Sequence, residues 1–328
     1  LTALMLGSLV GDTVTVRNVS PSPETARLIE CLGGWGAEIA ESDGAVTVRG
    51  TAFEREVFIP ESCPDGAMAA AAAAGIFSGR SVRIGNRGPG FEGAMGDLLP
   101  LLRGLGYDGD VEEDGAGFVF GKSDSPPAGS CTAETSGEAE AAAAAALASG
   151  ASNEIVSLGA AASQAFRLLS LFGGVSDQRK GAGERGEELA RRKARAAGAK
   201  MPDSRWFAPS RGEREIVVPG DTLIGAAVAA SAAVLSGSDV RIRAVSWEPE
   251  RRGFFDALRR MKAGIEWTPR QGFSLDAADV WIHGTARAGV HLTPRQAETI
   301  GPELLLLGAV AAAAPGETLL RGSRAFPR

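Results

Sequence analysis

Apolar residues fall along the chain in two kinds of run, and the two kinds alternate in a fixed order. Runs of the first kind, at 67–76, 139–148, 226–235 and 304–314, are rich in alanine or leucine and almost without charge, which makes them strong helix formers. A shorter apolar stretch at 2–10 precedes them. A helix that is apolar on every side has to be covered on every side, and alanine lets neighbouring elements approach closely. These runs predict central helices with sheets wrapped outside them. Runs of the second kind carry one apolar stripe: Leu28, Ile29 and Leu32; Leu98, Leu99, Leu102 and Leu105; Phe254, Leu258 and Met261. That spacing predicts amphipathic helices.

Between the runs, segments at 13–17, 81–84, 154–157, 239–243 and 317–320 each follow a turn glycine, Gly11, Gly79, Gly150, Gly237 or Gly316, and predict short strands. Gly33-Gly34, Gly104 with Gly106, and Gly173-Gly174 stand where left-handed caps would end the striped helices. Asp43-Gly44 supplies the turn of a hairpin pairing 37–40 with 45–49. One unit of central helix, turn, strand, loop and striped helix is therefore read five times, the mark of an internally repeated fold.

The rhythm breaks at 177–200, where Arg179, Lys180, Arg185, Arg191, Arg192, Lys193, Arg195 and Lys200 outnumber the acids. A solvated basic face, with an exposed helix at 187–197, and a phosphate- or partner-binding segment are both open readings of that insertion. Three units precede it and two follow. The expected organisation is an α/β (α+β) fold in two domains, with a boundary near Ser210: 1–210, with three units and the basic insertion, and 211–328, with the fourth unit and part of a fifth.

Composition narrows the function classes. The 328 residues, 44% hydrophobic, are enough for two cores of ordinary size. With 34 basic against 40 acidic residues the net charge is −6, so nothing draws the whole chain to nucleic acid or an anionic membrane. An anionic ligand would need a local basic cleft. Three cysteines without CxxC spacing and two histidines suggest neither a disulfide framework nor a zinc site, which fits the cytoplasm. The apolar stretch at 304–314 falls short of the ~18–20 residues that cross a bilayer. No targeting pattern opens the chain, and the absent initiator methionine at Leu1 points to truncation.

The most specific stretch runs from Val218-Pro-Gly-Asp221 through the fourth central helix to Gly237-Ser-Asp-Val-Arg-Ile-Arg243, and then Glu248-Pro-Glu-Arg-Arg-Gly-Phe-Phe-Asp-Ala-Leu-Arg-Arg-Met261. This succession resembles the opening of the second domain of EPSP synthases, where a VPGD turn, an alanine-rich helix, a strand and a GFxDxLRRMGA helix follow one another. Weaker agreement covers Arg17-Asn18, Ser22-Pro-Glu-Thr25 and Pro315-Gly-Glu-Thr318. The resemblance implies a two-domain inside-out α/β barrel of repeated βαβαββ units, with the sixth unit missing here. It implies transfer of the enolpyruvyl group of phosphoenolpyruvate to the 5-hydroxyl of shikimate 3-phosphate with release of phosphate. It further implies small anionic substrates as the only partners, no metal or organic cofactor, and a monomer.

The resemblance also locates candidate residues and departures. Ser22, Glu24 and Thr25 match the substrate-facing SDDT loop, although Ser-Pro-Glu is also ordinary helix-start chemistry. Arg251 matches the arginine of the NPTRTG turn, although a solvated role is the favoured reading of that position, and Arg87 and Asp221 complete the substrate-binding set; Asp221 reads alternatively as a helix cap. The family's Lys-Ser pair falls before Leu1 and its RVKESDR segment begins at Pro327-Arg328. Its RPM arginine falls at Gly93, its basic aspartate at Pro302, and its SSQ triplet near Glu134-Thr135-Ser136. Proline cannot accept a proton. Glu303, beside it, stands as the catalytic candidate or as an acid in the first turn of a helix.

Other readings are weighed against this one. Gly88-Pro-Gly90-Phe-Glu-Gly93 satisfies the dinucleotide GxGxxG spacing, but the acidic and Gly-turned run at 110–120 reads as a hairpin and not as a buried parallel strand. The sister family acting on UDP-N-acetylglucosamine carries a cysteine in the loop corresponding to 88–93, where neither Cys63 nor Cys131 lies. The remaining alternative is a homologue that keeps the fold and has lost the chemistry.

Overall fold

The computed structural model describes residues 1–10, 12–50, 53, 56–85, 91–113, 117–123, 130–133, 136–149, 154–157, 167–168, 171, 214–248 and 252–320. The basic insertion at 177–200 and the expected boundary at Ser210 lie outside them. Chain contacts divide the protein into two compact units, Leu1–Ile216 and Val217–Arg328.

The first unit contains, in order, α1 (Thr2–Ser8), β1 (Thr13–Arg17), α2 (Pro23–Gly34), β2 (Glu38–Ser42), β3 (Ala45–Arg49), β4 (Val57–Ile59), α3 (Asp65–Phe77), β5 (Val82–Gly85) and α4 (Phe91–Gly104). It continues with β6 (Val111–Glu113), β7 (Gly117–Phe120), β8 (Ser130–Ala133), α5 (Ser136–Ser149), β9 (Glu154–Ser157) and β10 (Arg214–Val217). The apolar runs α1, α3 and α5 pack against one another. The alanines at 70–74 and 141–145 are all at most 1% exposed, so the predicted burial on every side is met here. Each of these helices lies on its own sheet: α1 on β1 and β3, α3 on β4 and β5, α5 on β8 and β9.

The sheets run in the orders β10-β1-β3-β2, β4-β5-β7-β6 and β8-β9. β4 and β5 are parallel, as are β8 and β9, whereas β5–β7 and β6–β7 are antiparallel. The hairpin β6–β7 matches the reading of 110–120 and removes the parallel strand that a dinucleotide fold needs there. The β2–β3 hairpin turns at Asp43 and Gly44, with φ of 24° and 75°. Positive φ at both central positions suits the twist of the flanking strands.

One expectation about caps is corrected. Gly33 and Gly34 are the last residues of α2, and the left-handed residue is Gly36, at φ 103°. Gly106, at φ 97°, sits where it was expected; Gly173-Gly174 lies outside the described residues. Trp35 continues the helical conformation as cap, which carries the chain past the double glycine.

Gly50 is required by close packing of another kind, since a Cβ there would stand 1.6 Å from the Ser8 carbonyl oxygen. Gly50→Ala is therefore expected to destabilise by about 2–3 kcal/mol through forced backbone movement. Gly33→Ala, with nothing within 4 Å of the added atom, is expected to be neutral or stabilising by up to about 1 kcal/mol. Thermal unfolding of the two variants side by side checks the pair; equal melting temperatures would contradict it.

The second unit contains α6 (Thr222–Val234), β11 (Val240–Ser246), α7 (Gly253–Arg260), β12 (Ile265–Arg270), β13 (Ala277–Ile282), β14 (His291–Leu292) and α8 (Pro294–Ile300). A 3-10 turn (Gly301–Glu303), α9 (Leu304–Ala313) and β15 (Leu319–Leu320) follow. The central strand β13 is antiparallel to both β11 and β12. The GFFDALRR segment forms α7 because Asp256 in its first turn and Arg259 and Arg260 in its last both complement the helix dipole. Its apolar stripe supplies the core. Phe254 and Phe255 meet edge to face at 5.6 Å, and Trp247 lies against Phe255 at 5.1 Å and Trp267 at 5.3 Å.

Here full burial of the apolar runs is not met. α6 and α9 pack on each other, yet Ile224 on α6 is 64% exposed and Leu305 on α9 is 68% exposed. The physical difference is one of number: among the described residues two such helices meet in this unit, against three in the first.

Candidate active site

In the first unit, Ser22 is the N-cap of α2, and its Oγ accepts from the Thr25 amide at 3.1 Å while lying 3.0 Å from the Thr25 hydroxyl. Both hydroxyls are thus engaged in starting the helix, as the Ser-Pro-Glu reading has it. Thr25 is buried and Glu24 is exposed in the first turn. Just ahead of them Arg17 pairs with Glu215 of β10, which ties the end of β1 to its neighbour strand.

In the second unit the start of α6 is lashed to the end of β11. The Gly220 amide donates to the Ala244 carbonyl at 2.7 Å, and the Ser246 amide donates to the Gly220 carbonyl at 2.9 Å. Asp221 caps α6, its Oδ1 accepting from the Ile224 amide at 3.0 Å. The Thr222 hydroxyl, 1% exposed, reaches the Ser246 carbonyl at 3.5 Å. The Ser246 hydroxyl in turn lies 3.5 Å from Glu248 Oε2. Glu248 has no solvent exposure.

Glu303 ends the 3-10 turn ahead of α9, is 3% exposed, and makes no side-chain cap hydrogen bond. Its turn packs against α6, the helix that Asp221 caps. A carboxylate taken out of water is costly unless it is hydrogen-bonded or paired, and among the described residues this unit holds two that are buried, Glu248 and Glu303. Helix N-termini present free amides and a partial positive charge to anions; α6 begins behind Asp221 and α9 behind Glu303.

Of the residues singled out from the sequence, Ser22, Glu24 and Thr25 share the start of α2, and Asp221 and Glu303 belong to adjoining elements of the second unit. Arg87 and Arg251 lie outside the described residues. Gly93 falls inside α4 and Pro302 inside the 3-10 turn; Ser136 opens α5. Sequence reasoning missed Ser246 and Glu248 as a buried polar pair. The signal was present in Ser246-Trp-Glu248, where a charged residue follows a large aromatic at the end of a strand entering the core.

Asp221→Ala is expected to cost about 1 kcal/mol by loss of the cap, with Asp221→Asn restoring most of it. The midpoint of urea unfolding measures both. A loss that asparagine fails to restore would assign Asp221 a role other than capping.

No cluster of three or more His, Cys, Asp or Glu able to hold a metal occurs among the described residues. Cys31 and Cys63 are buried and joined in no disulfide, and no described helix is long and apolar enough to cross a membrane.

With this geometry in view, the fold is similar to that of enolpyruvyl transferases of known structure. The structure aligns with EPSP synthase from Acinetobacter baumannii at a TM-score of 0.73 and 17% identity, over 99% of this chain and 74% of that one. It aligns with the enolpyruvyl transferase NikO from Streptomyces tendae at a TM-score of 0.60 and 15% identity, over 97% of this chain and 71% of that one. A part of the sequence is similar to 3-phosphoshikimate 1-carboxyvinyltransferases. A 3-phosphoshikimate 1-carboxyvinyltransferase of Sulfurihydrogenibium sp. is 33% identical over 109 residues, a third of this chain and 25% of that protein. The enzyme of that name from Brucella canis is 36% identical over 108 residues. The matched stretch therefore spans about a quarter of the length of these curated relatives. No protein-family model matches the chain.

Proposed function

We propose that this chain is an EPSP synthase-like enolpyruvyl transferase, moving the carboxyvinyl group of phosphoenolpyruvate to the 5-hydroxyl of shikimate 3-phosphate, in aromatic amino-acid biosynthesis. The observation that carries the reading is the sequence similarity to 3-phosphoshikimate 1-carboxyvinyltransferases on a chain whose fold aligns over nearly its whole length with an EPSP synthase. In this reading 1–210 and 211–328 are the two domains of the family, and the protein works as a cytoplasmic monomer without metal or organic cofactor.

Chemically, the 5-hydroxyl must lose a proton as its oxygen bonds to the enolpyruvyl carbon and phosphate departs. A carboxylate is the fitting acceptor. Glu303 takes that role because the position before it is Pro302. Ser22, Glu24, Thr25, Asp221, Arg87 and Arg251 are the substrate-binding set, with the arginines supplying forked donors to phosphate and carboxylate oxygens.

A second reading, a homologue that has kept the fold and lost the reaction, is favoured by Gly93 and Pro302 standing where the family has an arginine and an aspartate. The two separate on restoration. If the chemistry has been lost, Gly93→Arg with Pro302→Asp leaves phosphate release at the background rate. Measurable turnover from that double variant of an otherwise silent protein would end the second reading.

A further inference from the structure

A cavity of about 490 Å³ opens on the face of the β11-β13-β12 sheet that carries Arg241, Arg243, Glu266, Arg270, Asp279 and Trp281. Its size lies within the range of small-ligand sites. The register sets Arg241, Trp281 and Glu266 directly opposite one another across the three strands, and the Arg241 guanidinium lies over the indole of Trp281 at 4.9 Å. That indole is fixed from two further sides. Its Nε1 donates to Asp239 Oδ1 at 2.5 Å, and the His283 ring lies tilted beside it at 4.5 Å, with His283 Nε2 3.3 Å from Glu266.

The cations of this face are not equally engaged. Arg270 grips both oxygens of Asp279, at 3.1 and 2.8 Å. The same carboxylate accepts from the Ala244 amide at 2.8 Å, where β11 shifts register and Ala244 takes φ 55°. A bulge of that kind re-aims the side chains beside it. Burial pushes the Asp279 carboxyl up, but the Ala244 amide, the Arg270 bonds and the charges of Arg270 and Arg243 outweigh it and hold the group below its usual range. Asp279 is therefore ionised and already held by three hydrogen bonds from two donor nitrogens, those of Ala244 and Arg270. Arg243 feels its charge without an ion pair, and neither Arg241 nor Arg243 forms one among the described residues. What remains is two neighbouring guanidinium forks beside a rigid indole wall.

We propose that this cavity binds a small anion carrying a planar ring, with Arg241 and Arg243 holding the anionic group and the ring stacking against the Arg241–Trp281 pair. Arginine supplies both halves of such recognition, since its fork matches carboxylate or phosphate geometry and its plane stacks on aromatic faces. The site lies wholly in the second unit and makes no use of the residues assigned to enolpyruvyl transfer, so the two assignments stand or fall separately.

The test is a titration of the whole protein with adenosine 5′-monophosphate or benzoate, which join a ring to a phosphate or a carboxylate, read by tryptophan fluorescence. Adenosine and inorganic phosphate serve as the ring alone and the anion alone. Saturable quenching by either ring-bearing anion, at least about tenfold tighter than by adenosine or phosphate, is expected; the tighter of the two probes assigns the anionic group. Arg243→Gln, an exposed change, should weaken binding about tenfold or more, the scale of a lost charge-assisted hydrogen bond, and Arg243→Lys should restore part of it. No saturation up to about 10 mM, or binding unchanged in Arg243→Gln, would overturn the proposal.

Discussion

Glu303→Gln is expected to lower phosphate release from phosphoenolpyruvate in the presence of shikimate 3-phosphate by about 10²-fold or more, the usual contribution of a positioned general base. The exchange keeps the size of the side chain and removes its charge and its ability to take a proton. Glu303 is 3% exposed and makes no side-chain cap hydrogen bond; glutamine fills the same volume, and the variant should fold. Binding of shikimate 3-phosphate should survive, so that the loss lies in kcat and not in KM. Glu303→Asp should recover part of the rate. Unchanged turnover in Glu303→Gln would remove this residue from the chemistry.

The largest expected effect on stability is at Phe254, which is 1% exposed and packed edge to face on Phe255. Phe254→Ala is expected to cost about 3–5 kcal/mol, combining the lost burial with the cavity left among Phe255, Leu258 and their neighbours. Phe58, on β4, is the proper control: it is equally large but 51% exposed, and its replacement by alanine should stay within about 0.5 kcal/mol. Urea unfolding followed by tryptophan fluorescence distinguishes them. A Phe254 variant no less stable than the Phe58 variant would mean that α7 does not anchor the core of the second unit.

How much of this was legible in the sequence differs from element to element. The nearly uncharged alanine runs announced α3 and α5, because only a helix covered on all sides tolerates such a composition, and β1 was read to the residue. The Asp43-Gly44 turn was legible because its backbone conformation is chemically restrictive. The displaced cap at Gly36 was not, since nothing local stops a helix from running through Gly33 and Gly34 when Trp35 buries its ring in the core.

Exposure of Ile224 and Leu305 was likewise invisible. Composition says that an apolar helix wants neighbours on all sides, and only the three-dimensional arrangement says how many it has. For the candidate site, the cap at Asp221 and the hydroxyls at the start of α2 followed from local chemistry. Burial of Glu248, and the meeting of Arg241, Arg243 and Trp281 on one sheet face, depend on strand register and on which face turns inward. Those are properties of pairing between distant segments.

The account turns on whether this chain carries out enolpyruvyl transfer. The direct test is the rate of phosphate release from the protein supplied with phosphoenolpyruvate and shikimate 3-phosphate, together and singly. Release that requires both substrates and falls with Glu303→Gln is the predicted result. No release above background with both present would contradict it and leave the protein as a member of the fold without the reaction.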